Sequence, residues 1–276
     1  MGISAKEVNN LRKSTGAGMM DCKKALEASN GDFDAAVDYL RKKGQKVSAK
    51  RAEREANEGV VKAITNDSKT IGVLLELNCE TDFVAKNDDF QNFADDLAQL
   101  ALTNKVADIN QLMELELKGT KVATLLEEQV GKIGEKIEVS NLGLLEGETI
   151  VPYTHLGSKI GVLVSLNQAT DAAEDIGRDV AMQIAAMNPL ALDESGIPQA
   201  DIDRELEVAK EQIRQEGKPE NLVEQIAKGK LNKFFKERTL LKQAFVKDNK
   251  LSVEQVLKNT DAQLKINAYV RFGIGA

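Results

Sequence analysis

Residues 71–78 read IGVLLELN and residues 160–167 read IGVLVSLN, so one segment is written twice. Ile71/Ile160, Gly72/Gly161, Val73/Val162, Leu74/Leu163, Leu77/Leu166, Asn78/Asn167, Thr81/Thr170 and Asp82/Asp171 coincide at a single offset. Both copies must therefore adopt the same local structure. Each is an apolar, branched run of the kind that forms a buried strand, followed by an Asx/Thr turn and a helix-period segment. The offset extends upstream, with residues 60–64 falling on 149–153 and 66–69 on 155–158, so each copy opens with a β-hairpin. In copy one, Asp88 with Gln91 reads as a capping-box-like helix start, and Phe90, Phe93, Leu97 and Leu100 share a face. The stripe in copy two is Val180, Ile184 and Met187. Residues 137–142 and 265–274 read as the third strand of each copy. The predicted fold class is α+β, with duplicated antiparallel-sheet and helix subdomains at 58–143 and 144–276.

The copies differ just past the shared Thr-Asp. Copy one has Phe83-Val84 where copy two has Ala172-Ala173, in a loop between strand and helix. A unit that folds with alanine there does not need a phenylalanine. Two readings of Phe83 are open: a staple tucked under its own helix, or an aromatic wedge beside the carboxylate of Asp82, presented to a partner at a loop tip. Burying a Phe is worth roughly 1.5–3 kcal/mol, the size of a typical coupling free energy between sites, about 1–3 kcal/mol.

Ahead of the repeat, Ser4 and Glu7 make a capping box for a helix carrying Val8 and Leu11. The turn at 14–18 leads to a second helix from Met19, and Asn30-Gly31-Asp32 precedes a third with Phe33, Ala36, Val37 and Leu40 inward. Residues 1–43 thus form a small three-helix bundle with little core of its own. Gly16-Ala17-Gly18 fits neither GxxxxGK[ST] nor GxGxxG, so these glycines serve the turn. Met19-Met20 suits either core packing or an adaptable recognition surface. Residues 44–57 read as a charged linker, a solvated helical connector with Lys46, Lys50, Arg51 and Arg54. Copy two carries an insertion at about 195–240. Stripes at Ile202, Leu206, Ala209, Ile213 and at Leu222, Val223, Ile226, Leu231, Phe234 flank a Gly217-Lys218-Pro219 turn and form an αα-hairpin. Such a stripe buries against its partner helix, the core or another subunit, so a homodimer contact is one hypothesis.

Other function classes find no support. With 37 Lys+Arg against 44 Asp+Glu the net charge is -7, which argues against nucleic-acid binding as the main task. No apolar run reaches membrane-spanning length, and the charged opening does not read as a signal peptide. Cys22 and Cys79 lie far apart without CxxC or histidine neighbours, which fits a reducing cytoplasm and no zinc site. The single histidine, His155, has no Ser or Cys partner at a recognisable spacing, and the acidic pairs read as a helix start and a solvated face. The expectation is a protein-binding scaffold without covalent chemistry and without a cofactor or metal. An adaptor that binds peptide or ubiquitin-like surfaces through residues 1–43 is the alternative.

Two stretches resemble a known family. Leu11-Arg12 with Thr15-Gly16-Ala17-Gly18-Met19-Met20-Asp21-Cys22-Lys23-Lys24-Ala25-Leu26, and Glu76-Leu77-Asn78-Cys79-Glu80-Thr81-Asp82-Phe83-Val84-Ala85-Lys86, closely resemble the two signature segments of the bacterial elongation factor Ts family. The likeness runs in order through nearly the whole chain, including His155 ahead of the second IGVLV. It implies a ubiquitin-associated-like domain at 1–43, a core of two subdomains, and a coiled-coil hairpin that dimerises in some members. The implied activity is guanine-nucleotide exchange on the translational GTPase elongation factor Tu. Thr81, Asp82, Phe83 and Val84 would wedge near the GTPase's magnesium and phosphate site, and Leu11, Arg12, Thr15, Met19 and Met20 would grip the same G domain. The second subdomain would reach another domain of the GTPase, with His155 at the family's histidine position and Leu156 as an added residue after it. Many relatives continue into a C-terminal helix; an end at Ala276 implies weaker binding unless the hairpin compensates.

Overall fold

The computed structural model describes residues 2–275. Helices α1 Ala5–Thr15, α2 Met19–Ala28 and α3 Phe33–Arg51 open the chain. Copy one follows as β1 Glu58–Thr65, β2 Ile71–Cys79, a single turn α4 Asp82–Ala85, α5 Asp88–Asn104, α6 Ile109–Glu114, a short ladder of β3 Glu116–Leu117 with β4 Thr120–Lys121, α7 Val122–Ile133 and β5 Ile137–Glu146. Copy two comprises β6 Thr149–His155, β7 Ile160–Leu166, α8 Asp171–Met187, the hairpin α9 Gln199–Gln215 and α10 Glu220–Arg238, the pair β8 Ala244–Phe245 and β9 Asp248–Ser252, α11 Val253–Thr260 and β10 Ile266–Gly273.

Two antiparallel three-stranded sheets, ordered β1-β2-β5 and β10-β7-β6, carry the duplicated sequence in their central strands. Their registers repeat: Val60 pairs with Leu77 as Thr149 pairs with Leu166, and Ile64 with Val73 as Tyr153 with Val162. One face of β2 packs Val73, Leu75 and Leu77 against Phe90, Phe93 and Leu97 of α5. The same face of β7 packs Val162, Val164 and Leu166 against Ile176, Val180 and Ile184 of α8. The opposite faces meet each other through Val61, Leu74, Ile150 and Leu163. Burial on both faces is why these strands read as continuous apolar runs rather than alternating ones.

The meeting of the sheets is reciprocal down to single atoms. A Cβ on Gly72 would lie 2.5 Å from Ile150 Cγ2, and one on Gly161 would lie 2.4 Å from Val61 Cγ1. The Val61 N–H donates to Ser158 O at 2.7 Å, and the Ile150 N–H to Lys69 O at 2.6 Å. Lys69 and Ser158 occupy matching places in the two hairpin turns, both at positive φ.

The bundle encloses Val8, Leu11, Cys22, Ala25, Leu26 and Ala36. Ser4 and Glu7 form the capping box, and Gly16 ends α1 at φ 68, where a Cβ is disfavoured. Phe33, expected inward, is exposed as the first residue of α3, ahead of the turn whose Ala36 enters the bundle core. The last helix of the bundle continues past the boundary expected at 43/44. There α3 runs on to Arg51, since Gly44 crosses Gly131 of α7 so closely that a Cβ on Gly131 would lie 2.6 Å from Gly44 Cα. Val47 packs on the copy-one core, and Arg41 pairs with Glu128 at 2.7 Å. The segment read as a solvated helical connector is helical to Arg51 and mostly exposed, but it is seated on copy one at Gly44 and Val47.

Three further expectations are corrected. The cap of α5 is Asn87, whose Oδ1 accepts the Asp89 N–H, while Gln91 donates to Ala85 O and ties α5 to α4. Met187 is exposed as the last residue of α8, just before left-handed Asn188 turns the chain away. Leu222 is exposed near the tip of the hairpin, whose core is Ala209, Ile213, Val223 and Ala227.

Gly161→Ala is expected to lower the unfolding free energy by about 1–3 kcal/mol through overpacking, read from the urea midpoint. An unchanged midpoint would show that the sheets have room to part.

Candidate functional site

β2 delivers the chain to Cys79 with both strand faces buried, and the exposed feature follows at once. Thr81 caps α4, its Oγ1 accepting the Val84 N–H at 3.4 Å, as Thr170 caps α8 by accepting the Ala173 N–H at 3.2 Å. In copy two the helix then runs unbroken to Met187, whereas in copy one it stops after a single turn and restarts under Asn87. Phe83 rides on that isolated turn with 83% of its surface exposed. The staple reading is therefore overturned, and the expected loop is a helical turn. Inward contacts are made by its neighbours: Ala85 is buried and Val84 is half-buried against the copy-one core.

Asp82 is half-exposed and accepts from Lys86 Nζ at 2.7 Å. That hydrogen bond, with the charges of Lys86 and Lys159, holds its carboxyl below the usual range. Lys159 comes from the β6–β7 turn and pairs with Glu58 at 2.9 Å, so copy two contributes a charge that acts on Asp82 of copy one.

The base of the turn is pinned by carboxylates. Thr81 donates its hydroxyl to Glu135 Oε1 at 2.7 Å and its N–H to Oε2 at 3.0 Å. Glu80 accepts from Arg51 at 2.6 Å, from Arg54 at 3.0 Å and from the Lys136 N–H at 2.6 Å. Burial by itself would raise the Glu80 pKa, but these three donors outweigh it and pull it down to about 2. Cys79 donates to Thr81 O at 3.2 Å, and burial pushes its thiol up to about 12, which leaves it unreactive.

The residues assigned to the bundle separate into two groups. Met19 and Met20 are 60% and 61% exposed and Arg12 is exposed, so all three can meet a partner. Leu11 is 0% exposed in the bundle core and offers no contact surface, which corrects its assignment. Thr15 is half-buried and serves the turn, donating to Leu11 O and accepting the Ala17 N–H. An open cleft of about 420 Å³ lies between Gly16 of the bundle and the Phe83 turn, with Val84, Lys132 and Glu135 also in its wall. His155 is the last residue of β6, its Nδ1 2.8 Å from the Tyr153 hydroxyl and its ring stacked on that tyrosine; the adjacent Leu156, in the β6–β7 turn, is exposed. Among the described residues no group of three or more His, Cys, Asp or Glu side chains is placed to hold a metal, and no helix is long and apolar enough to cross a membrane.

Residues 80–276 match the family model described as Elongation factor TS. The chain belongs to the elongation factor Ts family. It is 51% identical over 273 residues to the elongation factor Ts of Christiangramia forsetii, covering 99% of both chains. It is 50% identical to that of Amoebophilus asiaticus, covering 100% of both, and 47% identical to that of Flavobacterium psychrophilum, covering 99% of both. The family's members are translation elongation factors of protein biosynthesis.

The sequence offers no reason to single out Glu135 or Lys159, and it presents Arg51 only as a linker charge and Glu80 only as part of a signature segment. A signal for Glu80 was present, since copy two has Ala169 in its place. Because its folded pKa lies below its ordinary value of 4.5, Glu80 contributes stability that is present above that value and lost as pH falls toward about 2. Glu80→Gln is therefore expected to show a flatter decline in urea midpoint between about pH 5 and about pH 3 than the unaltered chain. Parallel declines would contradict the ionised clasp.

Proposed function

We propose that this chain promotes GDP release and GTP exchange on elongation factor Tu, with Phe83 and Asp82 entering the GTPase beside its magnesium and phosphate site. The observation that carries the reading is the exposed Phe83 ring on a braced helical turn, at a position where the sister copy folds with alanine. The ring is free to meet a partner, and the alanine at the matching place in the sister copy shows that the unit's fold does not require it.

The mechanism requires no nucleotide site and no covalent step on this chain, which makes it an exchange factor and not an enzyme. Magnesium holds oxygen ligands in near-ideal octahedral geometry, so a small displacement of the elements around it weakens nucleotide binding steeply. The ring supplies the driving energy on burial, and Asp82 places a carboxylate where the metal and phosphate lie. Met19, Met20 and Arg12, exposed on the bundle, grip the same partner. Linkage makes the effect reciprocal: nucleotide weakens factor binding by the factor through which the chain weakens nucleotide binding. Cellular GTP then displaces the chain and completes the cycle.

Release of fluorescent GDP from purified elongation factor Tu tests this. The unaltered chain is expected to accelerate release, and Phe83→Ala to reduce that acceleration about 10-fold to about 100-fold, the equivalent of roughly 1.5–3 kcal/mol, with an unchanged circular dichroism spectrum. A folded Phe83→Ala variant as fast as the original would remove the ring from the mechanism.

A further inference from the structure

Glu80 and Thr81 stand between the central strand β2 and the turn that carries Phe83, and both are held from outside their own segment. Glu135 takes two hydrogen bonds from Thr81, and Glu80 takes three from Arg51, Arg54 and the Lys136 backbone. Arg51 is the last residue of α3, while Glu135 and Lys136 link α7 to β5. Separate stretches of chain therefore converge on the two residues ahead of the ring.

Copy two is an internal control. Thr170 caps α8 as Thr81 caps α4, yet Ala169 replaces Glu80, and among the described residues no carboxylate side chain hydrogen-bonds Thr170. The unit folds without this clasp, as it folds without the phenylalanine. What copy one has in addition is a helix cut to four residues with an exposed ring on it. A single helical turn has little stability of its own. Charge-assisted hydrogen bonds at its base give it the brace that a continuous helix gives copy two.

The strut α3 extends the consequence to the bundle. Its first half builds the helical domain, Gly44 seats it on α7, and Arg51 at its end holds Glu80. The surface bearing Met19 and Met20 and the turn bearing Phe83 are thereby tied to one rigid element.

We infer that Glu80, Glu135 and Arg51 are positioning residues for exchange, fixing the direction of Phe83 relative to the bundle so that binding by the bundle drives the ring into the partner. This rests on the exchange reading above. The test is stopped-flow release of fluorescent GDP from elongation factor Tu over a range of concentrations of the full chain. If the unaltered chain gives no acceleration, the exchange reading itself fails. Given acceleration, Glu135→Ala is expected to lower the maximal release rate about 10-fold to about 100-fold while the half-saturating concentration stays within about 2-fold. Glu135→Gln keeps an acceptor for Thr81 and is expected to stay within about 3-fold of the original. Thr170→Val removes the equivalent cap in copy two and is expected to leave the maximal rate unchanged. A maximal rate for Glu135→Ala within about 2-fold of the original, or an effect confined to half-saturation, overturns the inference. Should Glu135→Ala fail to fold by circular dichroism, Thr81→Val deletes the same hydroxyl contact and is read by the same criteria.

Discussion

The close approach of two sheets at Gly72 and Gly161 is the constraint on which the molecule is built. Each glycine sits in a central strand facing a β-branched side chain of the other copy, Ile150 or Val61, with no space for a methyl group between them. Close packing leaves such an interface one arrangement rather than many. With the layers shut around Val61, Leu74, Ile150 and Leu163, the hairpin turns exchange backbone hydrogen bonds through Ser158 and Lys69. The contact is isologous in the manner of a twofold dimer, although one chain supplies both halves. It also carries Lys159 from the second copy to Glu58 and to the field around Asp82.

On this symmetric frame, the proposed exchange site lies where the symmetry breaks. Both copies leave the central strand through an Asn, turn at a Thr cap and enter a helix. Copy two continues that helix and fills its face with Ile176, Val180 and Ile184. Copy one halts after one turn, restarts under Asn87, and leaves Phe83 outside. The interruption has a physical reason: Gln91 reaches back to Ala85 O, and Ala85 and Val84 keep the turn seated on the core while the ring points away. At 83% exposure the ring is available to the partner proposed above.

Much of this was legible in the sequence because repetition is a strong signal. The fixed offset between copies marked the hairpins, and the observed registers repeat it at Val60/Leu77 and Thr149/Leu166. Local chemistry also read true where it acts over three or four residues, as in the Ser4–Glu7 box. Contacts between distant segments could not be read. Nothing near residue 44 announces that its glycine meets Gly131, and without that meeting a charged run resembles a linker. Glu135 approaches Thr81 only because β5 lies beside β2. Leu11 shares a signature segment with Met19 and Met20, yet helical geometry turns it inward and leaves them outside. Whether Phe83 was a staple or a prong depended on burial, which pattern alone does not decide.

The proposed entry of the Phe83 ring into a GTPase is most directly tested by photo-cross-linking from its own position. A benzophenone amino acid at position 83, in the full chain mixed with nucleotide-free elongation factor Tu, is expected to attach to residues lining the GTPase's nucleotide site. Excess GDP with magnesium is expected to suppress the adduct, as reciprocal linkage requires. An adduct confined to this chain, or one to the GTPase whose yield is indifferent to GDP and magnesium, would contradict insertion of Phe83 at that site.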